Sequence, residues 1–406
     1  MKSWLFTFTL ALFLITACKK NSPSSTPPPV INLPPEINDF DPKTGAPGTI
    51  VQISGQHFDT LANNLLVEFN GTPATIFSTN DQMMYVYIPQ GVTTGIISVK
   101  RTGLTGVSND VFTALSGNQW LKKSGIPGPD SSNGRFVGIG FSVGNKGYMG
   151  LGVGLDEVFY SDLFQYDPVS DTWTQEADCP VPLAGAICMV INNIAYIGLG
   201  QTQLSVNSKA WFAFDPTTNT WTRKADYPGQ NQSLALGVAI GNIGLAGMGV
   251  DNFGNASPEV WLYNPATDSW TQKANFSGTE IPQWLVGFSL DNKTALVEGT
   301  NFYGNGALIN YLYQYDPVAD AWTEKQSRPG RPLIQPCTMV INGNGYIMGG
   351  GEENWMYQSS TDAWTQVPFL SQRKGGASFV IGSTGYFGNG SDIRQIPVTD
   401  LWQFNP

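Results

Sequence analysis

A segment closed by tryptophan recurs through the last two thirds of the chain. SDLFQYDPVSDTWTQEA returns as AWFAFDPTTNTWTRKA, VWLYNPATDSWTQKA, YLYQYDPVADAWTEKQ and WMYQSSTDAWTQV, ending around Trp173, Trp221, Trp270, Trp322 and Trp364. The tryptophans follow one another at roughly 42 to 52 residues, the length of one four-stranded repeat. A unit that short cannot bury its apolar faces alone, so successive copies must stack. Between the copies runs a second pattern: FSVGNKGYMGLG, MVINNIAYIGLG, VAIGNIGLAGMG, MVINGNGYIMGG and FVIGSTGYFGNG. It predicts two inner strands, buried on both faces and joined by a Gly/Asn turn that tolerates positive φ. The Tyr-Asp-Pro segment is then a third strand. A turn of the form Asp-Pro-x-x-Asp/Asn leads into the fourth, with proline setting φ and the later Asp or Asn suiting the exit.

The two ends of the array explain each other. The chain stops at Asp400–Pro406, a third strand without its fourth, while the segment around Trp120 is a fourth strand without its first three. Joined, they make a sixth unit that closes a ring and removes free sheet edges. The expectation is a six-bladed β-propeller over residues 118–406, in an all-β chain. Composition agrees: 13% charged and 12% aromatic residues, with 46 glycines and 27 prolines, suit short buried strands and tight turns. The net charge of -10 leaves no basic surface for phosphates, so nucleic acid is not an expected partner.

The chain opens with Lys2, an apolar run from Trp4 to Ile15, and then Thr16-Ala17-Cys18. The run is too short for a comfortable membrane span and has the form of a signal peptide. It resembles the bacterial lipobox, which implies that residues 1–17 are removed and that Cys18 is lipidated. The Pro/Ser-rich residues 18–33 then serve as an extended tether. The resemblance implies an outer-membrane lipoprotein held through its lipid anchor, with the leaflet left open. Cys179, Cys188 and Cys337 have no metal-ligand spacing. Buried small hydrophobes are the expected state, and a Cys179 to Cys188 bridge is the alternative.

Residues 34–115 alternate apolar and polar residues over short runs between Gly, Pro, Asn and Asp. With Pro42, Gly45, Gly48 and Thr49 in the opening turn, then Gly55, Phe58, the Phe69-Asn70-Gly71 hairpin, Ala74, Pro89 and Gly95, the segment resembles the IPT/TIG family of immunoglobulin-like β-sandwiches. The resemblance implies a spacer or carbohydrate-associated module. His57, the chain's one histidine, lies here and has no second histidine to complete a catalytic or metal site.

The repeats of 118–406 resemble kelch, galactose oxidase central-domain-like propellers, such as those of many Bacteroidetes lipoproteins. Those repeats usually carry an Arg before the first strand. Here it stands only at Arg135 and Arg373, with Leu183, Gln232, Pro282 and Leu333 in the other blades. A copper oxidase site needs paired histidines, which the propeller lacks, and no hydrolase, zincin or P-loop motif occurs. No metal, cofactor or catalytic residue is therefore assigned. The long connections between second and third strands, and between blades, emerge on one face, where binding residues concentrate. Candidates there are Arg135, Gln232, Trp284, Tyr303, Arg331, Glu352, Arg373 and Arg394, among loops that also carry Asp156, Glu157, Phe253, Glu280 and Lys374. Aromatics among amides suit sugar rings. The leading expectation is a binding lipoprotein for a glycan or protein partner. The alternative is a non-metal carbohydrate enzyme such as a sialic-acid mutarotase, with Glu298, Glu352 and Arg135 or Arg373 converging on the axis.

Overall fold

The computed structural model describes residues 33–45, 47–114, 120–128, 134–203, 206–278, 281, 283–302, 308–368, 370 and 372–406. Cys18, its tether and Tyr303 lie outside them. From Pro34 onward the chain forms one compact unit, and it is all β apart from one 3-10 turn, Ala62–Asn64.

Its first part has eight strands: β1 (Glu36–Asp41), β2 (Thr44–Gly45), β3 (Ile50–Gln56), β4 (Leu65–Phe69), β5 (Thr72–Thr79), β6 (Met83–Tyr87), β7 (Gly95–Arg101) and β8 (Leu104–Ala114). They hydrogen-bond in the order β1-β3-β6-β5-β4-β7-β8-β2. The two halves of this order face each other across a single core, where Val51, Ile53, Met84 and Val86 meet Val67, Phe69, Ile97 and Phe112. Period-two alternation puts those side chains on the inner face, as in a sandwich. His57 adopts a left-handed φ of 58° after β3, and its Nδ1 lies 3.2 Å from the Pro34 carbonyl, a satisfied strand-end residue.

The second part is a ring of six four-stranded antiparallel blades. In blade 1 the strands are Ile139–Val143, Lys146–Gly150, Leu163–Asp167 and Thr172–Gln175, and the next four blades repeat the plan. Blade 6 combines Ala377–Ile381, Thr384–Gly388 and Leu401–Phe404 with Trp120–Lys123 from the other end. Leu401, Trp402, Gln403 and Phe404 pair with Lys123, Lys122, Leu121 and Trp120. The ring thus closes through its ends, so that blade 6 has four strands like the others. Turns between first and second strands carry Asn192, Asn193 or Gly241 at positive φ, the backbone a two-residue hairpin requires.

The recurring tryptophan and aspartate are the joints of the ring. Each Trp Nε1 donates to a main-chain carbonyl just past the fourth strand of the preceding blade. Trp173 reaches Ser124 (2.7 Å), Trp221 reaches Ala177 (2.8 Å), Trp270 reaches Ala225 (2.9 Å), and Trp322 reaches Ala274 (3.2 Å). Trp364 reaches Gln326 (2.7 Å) and Trp120 reaches Pro368 (3.2 Å). In blades 1 to 5 the turn residue two before the tryptophan takes the N–H of that same preceding residue. Asp171 accepts from Ser124, Asn219 from Ala177, Asp268 from Ala225, Asp320 from Ala274 and Asp362 from Gln326. Where that residue is Asp it also accepts the hydroxyl of the buried third-strand tyrosine, at 2.6–2.8 Å for Tyr166, Tyr263, Tyr315 and Tyr357. The repeat is therefore a latch: the tryptophan and the Asp or Asn two positions before it satisfy the carbonyl and the N–H of one residue in the neighbouring blade, groups that would otherwise be stranded at a strand end.

Cys179, Cys188 and Cys337 are free thiols, so the Cys179 to Cys188 bridge kept open above does not form. Cys188 sits in the first strand of blade 2 and Cys337 in that of blade 5. Burial pushes both thiols above the ordinary range, which makes them inert.

Candidate functional site

Just before the first strand of each blade, or in blade 4 at its second residue, one residue takes a left-handed backbone: Val137, Gly185, Leu234, Trp284, Gln335 and Gly375, with φ between 47° and 62°. These residues stand around the propeller axis, and five of them join by their peptides. The N–H of Gly375 donates to the Gln335 carbonyl (3.0 Å), Val137 to Gly375 (2.7 Å), Gly185 to Val137 (2.8 Å), and Leu234 to Gly185 (3.0 Å). A β-branched or aromatic residue in this region is strained. The conformation is nonetheless common to all six blades, so the hydrogen-bonded ring is architecture and only its side chains are free to vary.

Above the ring, on the face of the long loops, opens a cavity of about 630 Å³. Its polar lining includes Gln201, Gln203, Gln335, Gln395, Glu157 and Lys374; Leu155, Phe159 and Leu234 supply apolar wall. The ring forms its floor, and below it a narrower shaft lined by the first strands, including Cys188, continues along the axis. The walls are held by short bridges that tie the connection before each first strand to the loop after the second. Phe136 pairs with Val153, Ala184 with Gln201, Ser233 with Val250 and Lys374 with Ser391. Each of these loops then turns back in a tight hairpin, as from Gly154 to Val158 and from Asp392 to Ile396. Gln203 ties neighbouring tips together: its Oε1 takes the Phe159 N–H at 2.9 Å and its Nε2 donates to the Glu157 carbonyl at 3.0 Å. The second and third strands of blade 4, Ala295–Phe302 and Leu308–Asp316, are longer than their counterparts and raise one side of the rim.

The sequence candidates scatter across this face. Arg135 is buried, doubly bonded to Asp162, and donates to the Leu151 carbonyl at 3.2 Å. Arg373 is held by Asp400 in the same way at 2.6 and 2.9 Å, and Trp402 Nε1 also donates to Asp400 at 2.9 Å. Burial works against the Asp400 charge, but the Arg373 guanidinium holds that carboxyl below its usual range. Gln232 is fully buried, its amide oxygen accepting the Gly249 N–H at 2.9 Å. These three side chains brace blades; none lines the central cavity.

Arg331 and Glu352 meet at the rim, 3.5 Å apart and largely exposed. Arg394 lies instead where the sandwich meets blade 6: bonded to Asp392 (Nε at 2.7 Å), it stacks over Phe77 of β5 at 4.2 Å. Gly48, Thr49 and Tyr87 of the sandwich share a cleft there with Arg373, Arg394 and Asp400. The sandwich thus packs against the propeller at blade 6. Trp284 alone of the candidates stands in the axial ring, beside Gln335 and Leu234.

The convergence expected for an enzyme does not occur. Glu298 is fully buried against Arg328 (3.0 Å), whose Nη2 also reaches Asn310 at 3.0 Å. Burial raises the Glu298 carboxyl despite that cation. Each acid and arginine invoked is spent within its own blade or at the outer rim, because a lone buried charge is too costly to keep for the axis. Among the described residues no group of three or more His, Cys, Asp or Glu could hold a metal.

The amides that do line the cavity were not singled out in the sequence, although their signal is present. Gln201 and Ser391 fall at one fixed offset past the second strand, and Gln335 and Gly375 at one fixed offset before the first. Aligning repeats column by column marks these as axis-facing columns. Residues 35–114 match the family model for the IPT/TIG domain. No curated protein matches the chain.

Proposed function

We propose that this protein is a binding protein whose kelch-type propeller presents its central cavity to a glycan, and that acyl chains on Cys18 hold it at the outer membrane. The observation that carries the reading is the cavity lining: glutamine amides around an apolar wall, on a scaffold locked by main-chain hydrogen bonds. Amides donate and accept at once, which suits vicinal hydroxyls, while apolar wall suits the C–H face of a sugar ring. A preorganised site also spares a weak ligand the cost of ordering the protein.

Oligosaccharide arrays, followed by calorimetry on the hits, test the binding reading. Saturable binding that weakens in Gln335→Asn, a change that keeps a residue tolerant of left-handed backbone, is expected. Binding only to proteins, with no saccharide hit, would replace the glycan by a protein partner. For the anchor, Cys18→Ser should move the protein from the membrane to the soluble fraction without lowering its melting temperature; an unchanged membrane pool would refute lipidation.

A further inference from the structure

We infer that the central cavity selects an acidic sugar residue, with the Lys374 ammonium as the group that recognises its carboxylate. This rests on the glycan reading above. The six blades supply an internal comparison. The residue just before the left-handed ring position is Phe136, Ala184, Ser233, Gln283, Ile334 and Lys374 in turn. Only blade 6 carries a charge in this column, so the framework does not demand one. What the framework uses is the Lys374 main chain, bonded in both directions to Ser391 (3.0 and 2.9 Å). The residue is thereby fixed at the wall of the cavity, half-buried and among its lining residues.

The other cations expected to meet a ligand are already neutralised: Arg135 by Asp162, Arg373 by Asp400, Arg394 by Asp392 and Arg331 by Glu352. Among the described residues no carboxylate lies within ion-pair distance of Lys374. Glu157, the acid of the same lining, stands on an exposed hairpin tip and is not paired with it. In a chain of net charge -10, a half-buried lysine at the cavity wall with no ion-pair partner among the described residues is placed for an anion from outside. The surrounding amides then read the hydroxyls of the same ring.

The test compares an oligogalacturonate with its methyl ester, which keeps the hydroxyls and removes the charge. The wild type is expected to bind the acid about 10-fold to 100-fold more tightly, the range of one charge-assisted hydrogen bond. That preference should shrink with added salt, vanish in Lys374→Met and persist in Lys374→Arg, with melting curves showing that each variant is folded. Equal binding of acid and ester by wild type, with weaker binding of both in Gln335→Asn, would overturn the role of Lys374 and leave the glycan reading standing. A preference that survives in Lys374→Met would also overturn it. No binding of either probe or of any arrayed sugar by folded wild type would remove the glycan reading itself.

Discussion

The rings of Trp120 and Phe404 lie 4.7 Å apart, centroid to centroid, and their main chains pair in blade 6. This contact joins the first propeller strand to the last, so every blade has two neighbours. Both rings are buried, and Phe387 and Trp402 share their cluster.

Deleting residues 400–406 should therefore lower the melting temperature far more than deleting the 19–33 tether. The deletion unpairs two ladders and removes Leu401, Trp402 and Phe404, each worth about 1.5 to 3 kcal/mol of burial. Trp120→Ala alone should cost about 3 to 5 kcal/mol. Equal melting temperatures for the two truncations would mean that the closing strand contributes nothing.

Asp268→Ala strands both the Tyr263 hydroxyl and the Ala225 N–H, and should destabilise by about 1 to 3 kcal/mol for each buried group left unpaired. Asn219→Ala is the matched control. Blade 2 has Phe214 where blades 1, 3, 4 and 5 have tyrosine, so Asn219 holds only the Ala177 N–H. Urea midpoints should show the larger loss for Asp268→Ala; equal losses would remove the phenol from the latch.

Arg373→Met leaves the partly buried Asp400 carboxylate without its buried cation and should cost about 3 kcal/mol, the low end for a buried pair. Adding Asp400→Asn to it should restore part of that loss. The pair also carries a pH dependence. The folded Asp400 carboxyl lies below its usual range, so its stabilisation is present above the ordinary carboxylate value and is lost as pH falls through the lower folded one. Acid unfolding of Asp400→Asn should lack this component.

Asp41, where the sandwich faces blade 5, moves the other way. Burial first, then Glu352 and Asp39, raises its carboxyl from 3.8 to about 6, against Lys43 and Arg331. A raised folded value means that stability is full below about 4 and declines as pH climbs through about 6. Melting temperatures between pH 4 and 7.5 should fall for the wild type and fall less for Asp41→Asn. Parallel profiles would rule out Asp41 as the cause.

Local chemistry made most of the fold legible in the sequence. Turn residues, alternating strands and the recurrence of tryptophan depend on spacing along the chain, so they announce blades, their number and the closure at Trp120 and Phe404. The latch partners of those tryptophans were hidden because each lies one blade away, at a main-chain group that any residue supplies. The site was legible only as a face. Arg135, Arg373 and Arg394 look alike as letters, yet the fold buries the first two against partly exposed aspartates and spends the third on Asp392 and Phe77. Gln335, unremarkable in the chain, and Lys374, marked there only as part of a loop, line the axial cavity because a left-handed residue stands at or beside them. Which charge is consumed and which faces a ligand depends on burial and on partners distant in sequence, and only the closed ring decides both.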